Sequence, residues 1–152
     1  MKMKRGFTLI ELLVVISIIG ILASLTFVSY SGAQKQTRDT QRRSDLAQYR
    51  NGLENYAASH NGIYPVVTGS GKTVDEICGA GKDLEEFLSG CPDDPLDSAA
   101  IPGRHYYYRS DSGGTKYILY ADLETATYWY VCSSGISNKT ATDTEPTLAT
   151  CP

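Results

Sequence analysis

Residues 5–24 read RGFTLIELLVVISIIGILAS, and the apolar run that they open continues to Tyr30. Phe7 to Tyr30 spans 24 residues with one formal charge, Glu11. As an α-helix rising about 1.5 Å per residue, the run is long enough to cross a hydrocarbon layer of about 30 Å. Lys2, Lys4 and Arg5 precede it, so the positive-inside rule keeps that end cytoplasmic and places the chain after Tyr30 on the far side. A cleaved secretory signal fits poorly, because the run is too long and no convincing small-x-small site follows. A carboxylate inside an apolar span is costly and asks for a function. Composition alone does not name it.

The whole chain has 152 residues, which suits one domain plus an anchor. Its net charge of −3 hides an asymmetry: from Asn61 onward, six Lys/Arg stand against 13 Asp/Glu. That excludes the basic footprint of a nucleic-acid-binding surface over this part. Between Ser31 and His60 five basic residues outnumber three acidic ones, the pattern of a solvated helix face. The four cysteines, Cys78, Cys91, Cys132 and Cys151, form no CxxC pair, so disulfides in an exported domain are expected in place of a metal cluster. Three pairings are open. Joining sequence neighbours, Cys78–Cys91 and Cys132–Cys151, closes the short loops and is favoured.

Ser31–His60 has no proline and is rich in Ala, Gln, Arg, Leu and Glu. Leu46, Tyr49, Leu53, Tyr56 and Ala57 recur at three- and four-residue spacing, an apolar stripe on one helix face. Before Leu46 the segment SGAQKQTRDTQRRSD has almost no stripe, so docking against a domain is expected from about Leu46. Lys35, Arg38, Asp39, Arg42, Arg43 and Asp45 are expected at solvent or between subunits, with Asp39 and Arg43 four apart as a weak intrahelical pair. Gly62 is the expected C-cap and Pro65 the stop. If continuous, Phe7–His60 makes a helix of 54 residues, about 80 Å long.

The remainder, residues 61–152, reads as a globular head. Thr73 and Glu76 fit a capping box for a short helix, and Lys82–Ser89 fits another. RHYYYRS (104–110), TKYILYA (115–121) and TYWYVCS (127–133) are strand-like runs joined by short turns, an antiparallel meander over 104–133. One face is expected against the Leu46–Tyr56 stripe, the other solvent-facing with tyrosines. The Thr-rich tail after Gly135 is polar enough to be disordered alone, with the last disulfide as its staple. Asn138-Lys139-Thr140 matches a glycosylation sequon, a pattern common by chance. GSGK (69–72) lacks the rest of a phosphate loop. Asp93, Asp94, Asp97, Asp111 and Asp122 offer oxygen ligands for calcium without matching an EF-hand, and no cofactor is called for. His60 and His105 lack neighbours for Ser-His-Asp chemistry, so no enzyme is expected.

Arg5, Gly6, Phe7, Thr8, Leu9, Ile10 and Glu11, in that order ahead of the apolar run, closely resemble the N-terminus of type IV prepilins and the related pseudopilins of type II secretion. The resemblance implies that a prepilin peptidase cuts between Gly6 and Phe7, removing leader 1–6, and that the new amino terminus of Phe7 is methylated. It implies a filament-core helix over 7–30, transmembrane before assembly and continued by an amphipathic helix over 31–60. Many members carry a helix-breaking proline where this chain has Val28, so any melting on assembly is confined near Gly20. The fold class implied is α+β: a long N-terminal helix, membrane-spanning in its first half, packed on a small antiparallel sheet, with a C-terminal disulfide loop. Implied partners are copies of itself, the lipid bilayer before assembly, an inner-membrane platform and its ATPase. The subunit would rest in the inner membrane and end in an extracellular fibre. Glu11 would meet the Phe7 amine of a neighbouring subunit and set register. Alternatives are a secretion pseudopilin, a minor pilin, or an anchored binding module that never polymerises.

Overall fold

A computed structural model describes residues 6–67, 69, 72–97 and 105–152, with the side chains of 25–29 outside that description. Lys2, Lys4 and Arg5 of the expected leader, the side chain of Val28, part of the GSGK stretch and the expected strand start at 104 therefore lie outside the described residues. The chain divides into two compact units, Met1–Gln36 and Thr37–Pro152.

Helix α1 runs over Leu9–Ser59, 51 residues, unbroken through Gly20 and Gly32. No proline interrupts it, and the leucines, alanines, glutamines and arginines distributed along it favour the helix over the β-branched residues and glycines between them. At its C-terminus the Gly62 N–H donates to the Ala57 carbonyl at 2.8 Å, the six-to-one bond of a Schellman motif. Asn61 (φ 56°) and Gly62 (φ 77°) both adopt the left-handed conformation. The first of these positions thus falls on Asn61, one residue before the expected glycine cap. Asparagine tolerates this conformation better than most residues.

Four strands follow: β1 (Tyr107–Ser110), β2 (Tyr117–Asp122), β3 (Tyr128–Cys132) and β4 (Ser137–Lys139). They pair antiparallel in the order β1-β2-β3-β4. Tyr107 lies opposite Tyr120, Ile118 opposite Cys132, and Trp129 opposite Lys139. The fold is α+β, a long N-terminal helix packed on an antiparallel sheet. Leu46, Tyr49 and Leu53 of α1 are fully buried with Tyr106, Tyr108, Tyr117 and Leu119. Each tyrosine hydroxyl buried in this cluster finds an acceptor: Tyr49 donates to the Pro92 carbonyl, Tyr106 to Asp45, Tyr108 to the Pro65 carbonyl and Tyr117 to Glu54. This is how a tyrosine-rich core avoids the penalty of unpaired polar groups.

Gly114 closes the β1–β2 turn at φ 64°. A Cβ there would lie 2.6 Å from the Tyr64 carbonyl oxygen, and its own carbonyl accepts from the Tyr64 N–H at 2.8 Å. Only glycine meets both demands, and the contact ties the turn to the segment leaving α1.

Four local expectations are corrected. Residues 82–89 form successive turns and no helix: the Leu84 carbonyl accepts from both Phe87 and Leu88 N–H groups, and burying Leu84 against the core takes precedence over helical periodicity. Thr73 precedes a single 3-10 turn, Val74–Glu76, without a side-chain cap. Its hydroxyl donates to Asp75, while Glu76 pairs with Lys72. The sheet extends past residue 133, because the tail supplies β4. Finally, the second face of the sheet is no open tyrosine surface. Ile118, Cys132 and Cys151 form a second buried cluster, with Tyr130 and Leu148 packed on it, and Tyr120 is fully buried.

Candidate functional site

Two sets of residues carry chemistry, one in each unit. In the first unit, Thr8 precedes α1 and Glu11 lies in its first turn. The Thr8 N–H and hydroxyl both donate to Glu11 Oε2, at 2.8 and 2.7 Å, and the Glu11 N–H reaches Thr8 Oγ1 at 3.3 Å. This is a reciprocal capping box. The Thr-x-x-Glu spacing signals it in the sequence, and it gives Glu11 a partner within its own chain. Glu11 is the one ionisable group in a shallow concavity of about 400 Å³ otherwise lined by Phe7, Ile10, Val14 and Val15. Beyond it, Leu9, Leu13, Ile16, Ile19 and Leu22 all stand exposed. A helix apolar on every side is built to be covered by lipid or protein. Among the described residues no helix is long and apolar enough to cross a membrane; the side chains of 25–29 within this run lie outside the description.

In the second unit, the segment of α1 before Leu46 is no bare polar stretch. Arg42 is fully buried and Asp39 nearly so. The Arg42 guanidinium donates twice to Asp94, at 2.6 and 2.9 Å, once to Asp39 at 2.7 Å and once to Glu124 at 3.1 Å. Arg38 grips Glu124 with two bonds of 2.6 and 2.7 Å. Asp39 in turn accepts from the Glu124 and Thr125 N–H groups and the Thr125 hydroxyl. The hub thus joins α1, the loop after Cys91 and the β2–β3 turn. Arg43, expected to pair with Asp39, instead lies 4.6 Å from the Trp129 ring centroid. No pattern in one sequence brings Asp94 or Glu124 to Arg42. The partial signal is that Arg42 continues the Leu46–Tyr49–Leu53 spacing backward.

The hub is electrostatically tuned. Arg38 and then Arg42, working against burial, push Glu124 down to about 2. Burial opposes the charge of Asp39, but the bonds from Thr125, the Glu124 backbone and Arg42 outweigh it and hold it below the usual range. Burial pushes Asp45 the other way, up, against the bond from Tyr106. For Glu124 and Asp39 the folded value lies below the unfolded one. Their stabilisation is therefore complete above about pH 5 and is lost as pH falls from about 4 toward 2. Asp45 has the opposite sign and relieves a small penalty on acidification. We expect denaturant melts to be flat from pH 7 to 5 and to weaken steeply below 4. A profile flat to pH 2.5 would contradict the assignment.

The structure joins Cys78 to Cys91 and Cys132 to Cys151. Of the carboxylates that could hold calcium, Asp94 is committed to Arg42, Asp97 lies 3.1 Å from His105, and Asp111 accepts from Thr115 and Lys116. Among the described residues no cluster of His, Cys, Asp and Glu has the make-up of a metal site.

A family model described as the prokaryotic N-terminal methylation motif matches residues 1–27. The chain is 30% identical over 144 residues to the type II secretion system core protein G of Escherichia coli (strain K12), covering 90% of this chain and 94% of that protein. It is 35% identical over 79 residues to the type IV major alpha-pilin of Moraxella bovis, 52% of this chain and 48% of the pilin. It is 38% identical over 63 residues to the prepilin peptidase-dependent protein D of Escherichia coli (strain K12), 41% and 43% of the two chains. No solved structure matches it significantly.

Proposed function

Because the chain belongs to the family of type IV pilins and type II secretion pseudopilins, we propose that it is a structural, non-catalytic subunit polymerising into a type IV pilus. The observation that carries this reading is the aliphatic surface of Leu9–Leu22, exposed around a single carboxylate. In the proposed cycle the chain rests in the inner membrane through residues 7–30. Prepilin peptidase cuts between Gly6 and Phe7, and a membrane platform with its ATPase drives extraction. Packing the apolar helices together replaces lipid contacts with protein contacts.

Glu11 sets the register in this scheme. Cutting at Gly6 creates a cationic amine on Phe7, and a carboxylate left unpaired in an apolar bundle is strongly destabilising. Pairing Glu11 with the Phe7 amine of a neighbour removes that penalty in one register and leaves it in the others. Glu11→Ala is expected to leave a processed, membrane-resident subunit but to lower fibre yield by at least about tenfold, the equivalent of ~1.4 kcal/mol. The measurement is electron microscopy of sheared surface fibres, with mass spectrometry of their main component and of its N-terminus. Undiminished yield from that variant would count against the register role, and an intact leader in the fibres would count against processing.

A second reading, a pseudopilin of type II secretion, is favoured by the extent of the likeness. The similarity to core protein G spans nearly the whole chain, whereas that to the Moraxella pilin spans about half of it. Deleting the gene distinguishes the two. Loss of surface fibres with secretion intact supports the pilus; loss of exported proteins from the medium with no fibre phenotype supports the pseudopilin.

A further inference from the structure

We infer that Thr8 is a positioning residue for Glu11. The inference rests on the reading in which Glu11 pairs with the Phe7 amine of a neighbouring subunit. Glutamate on an exposed helix surface samples many rotamers, and ordering it on assembly opposes the pairing. Here the Thr8 N–H and hydroxyl both donate to the same oxygen, Oε2, and the Thr8 hydroxyl oxygen accepts from the Glu11 N–H. The side chain is thereby drawn back over the first turn, toward Phe7, before any partner arrives. Among the described residues these bonds all fall on Oε2, which leaves Oε1 for an external donor.

The arrangement serves the unassembled subunit as well. An apolar surround holds no water to solvate a carboxylate, and hydrogen bonds there are stronger than in water. The exposed residues lining the concavity, Phe7, Ile10, Val14 and Val15, supply no polar side chain of their own. Thr8 therefore gives Glu11 its donors while the chain is single, and the same contact pre-orders it for the amine. The hydroxyl is the required group. Serine retains it, whereas valine keeps the shape of threonine and the backbone N–H donor but lacks the hydroxyl that both donates to Oε2 and accepts from the Glu11 N–H.

The test uses the full chain in its native host, comparing Thr8→Val, Thr8→Ser and Glu11→Ala. Fibre yield is read by microscopy, leader removal by mass spectrometry, and subunit level in membranes by immunoblot. Thr8→Val is expected to lower fibre yield about five- to tenfold, the scale of a lost cap and of one side chain's ordering. Processing and membrane level should be unchanged, and Thr8→Ser should restore the yield to near the parent. Parental or higher yield from Thr8→Val, failure of serine to restore it, or accumulation of uncut precursor would each overturn the inference. If Glu11→Ala itself assembles normally, the register reading fails and this inference with it. If Glu11→Ala fails to assemble while Thr8→Val assembles normally, only the role of Thr8 is lost.

Discussion

Replacing Arg42 with alanine is expected to lower the stability of the head by about 3–5 kcal/mol, the usual cost of removing one partner from a buried charge network. Asp39, Asp94 and Glu124 would remain together with Arg38 as the nearby cation. The loop after Cys91 and the β2–β3 turn would lose their shared anchor on α1. Against a typical total of about 5–15 kcal/mol, that leaves the fold marginal, and a thermal midpoint should fall by roughly 10–20 °C. Arg42→Lys should recover part of the loss, since an ammonium keeps the charge but cannot grip Asp94 with two parallel bonds. Arg43→Ala is the control. Its guanidinium is exposed over Trp129, and its removal should cost no more than about 1 kcal/mol. Equal losses from the two variants, read by denaturant melts of the full chain in detergent, would show that the hub is not a joint of the fold.

The second large effect is expected at the tail. Cys132 and Cys151 are 19 residues apart, and closing a loop of that size stabilises by about 3 kcal/mol on the chain-entropy estimate. Changing both to serine should lower stability by about 2–4 kcal/mol and should do so locally. The tail is held over the second face of the sheet by this link, by Leu148 against Ile118 and Cys132, and by Glu145 against Arg109 at 2.7 Å. Without the disulfide, what remains over residues 140–150 is the packing of the half-buried Leu148 and a half-exposed ion pair of small worth. Limited proteolysis should therefore cut residues 140–150 far faster in the double variant, while the Leu46–Tyr49–Leu53 core stays protected. Unchanged cleavage would mean that packing alone retains the tail.

The first of these expectations concerns a feature that the chain's local patterns did not reveal, whereas the Cys132–Cys151 staple was legible in the cysteine order. Charged residues at Arg38, Asp39, Arg42 and Asp45 read as a solvated helix face because nothing nearby needs them inside. Their burial depends on acceptors and donors far along the chain: Asp94 lies 52 residues from Arg42, Glu124 lies 82 from it, and Thr125 lies 86 from Asp39. The 82–89 segment departs from a helix for a related reason. Its apolar spacing fits a helix, but one fully buried leucine at position 84 is satisfied by turns. The capping box at Thr8 and Glu11 is a different case, since its partners lie three residues apart and the Thr-x-x-Glu spacing is legible in the sequence.

By itself, the order of residues determined what depends on near neighbours. A proline-free run of helix formers makes one long helix; a greasy stretch with a single acid behind a basic leader identifies the family; alternating tyrosines separated by turn residues make a meander. Each is a matter of periodicity over a few residues, where backbone geometry and side-chain spacing suffice. Tertiary structure alone decided which polar groups go inside, that the tail adds a fourth strand and covers the second face of the sheet, and where the helix first docks. Those outcomes require hydrogen-bonding partners from distant segments, and a buried charge or an edge strand is stable only once the whole fold has brought those partners together.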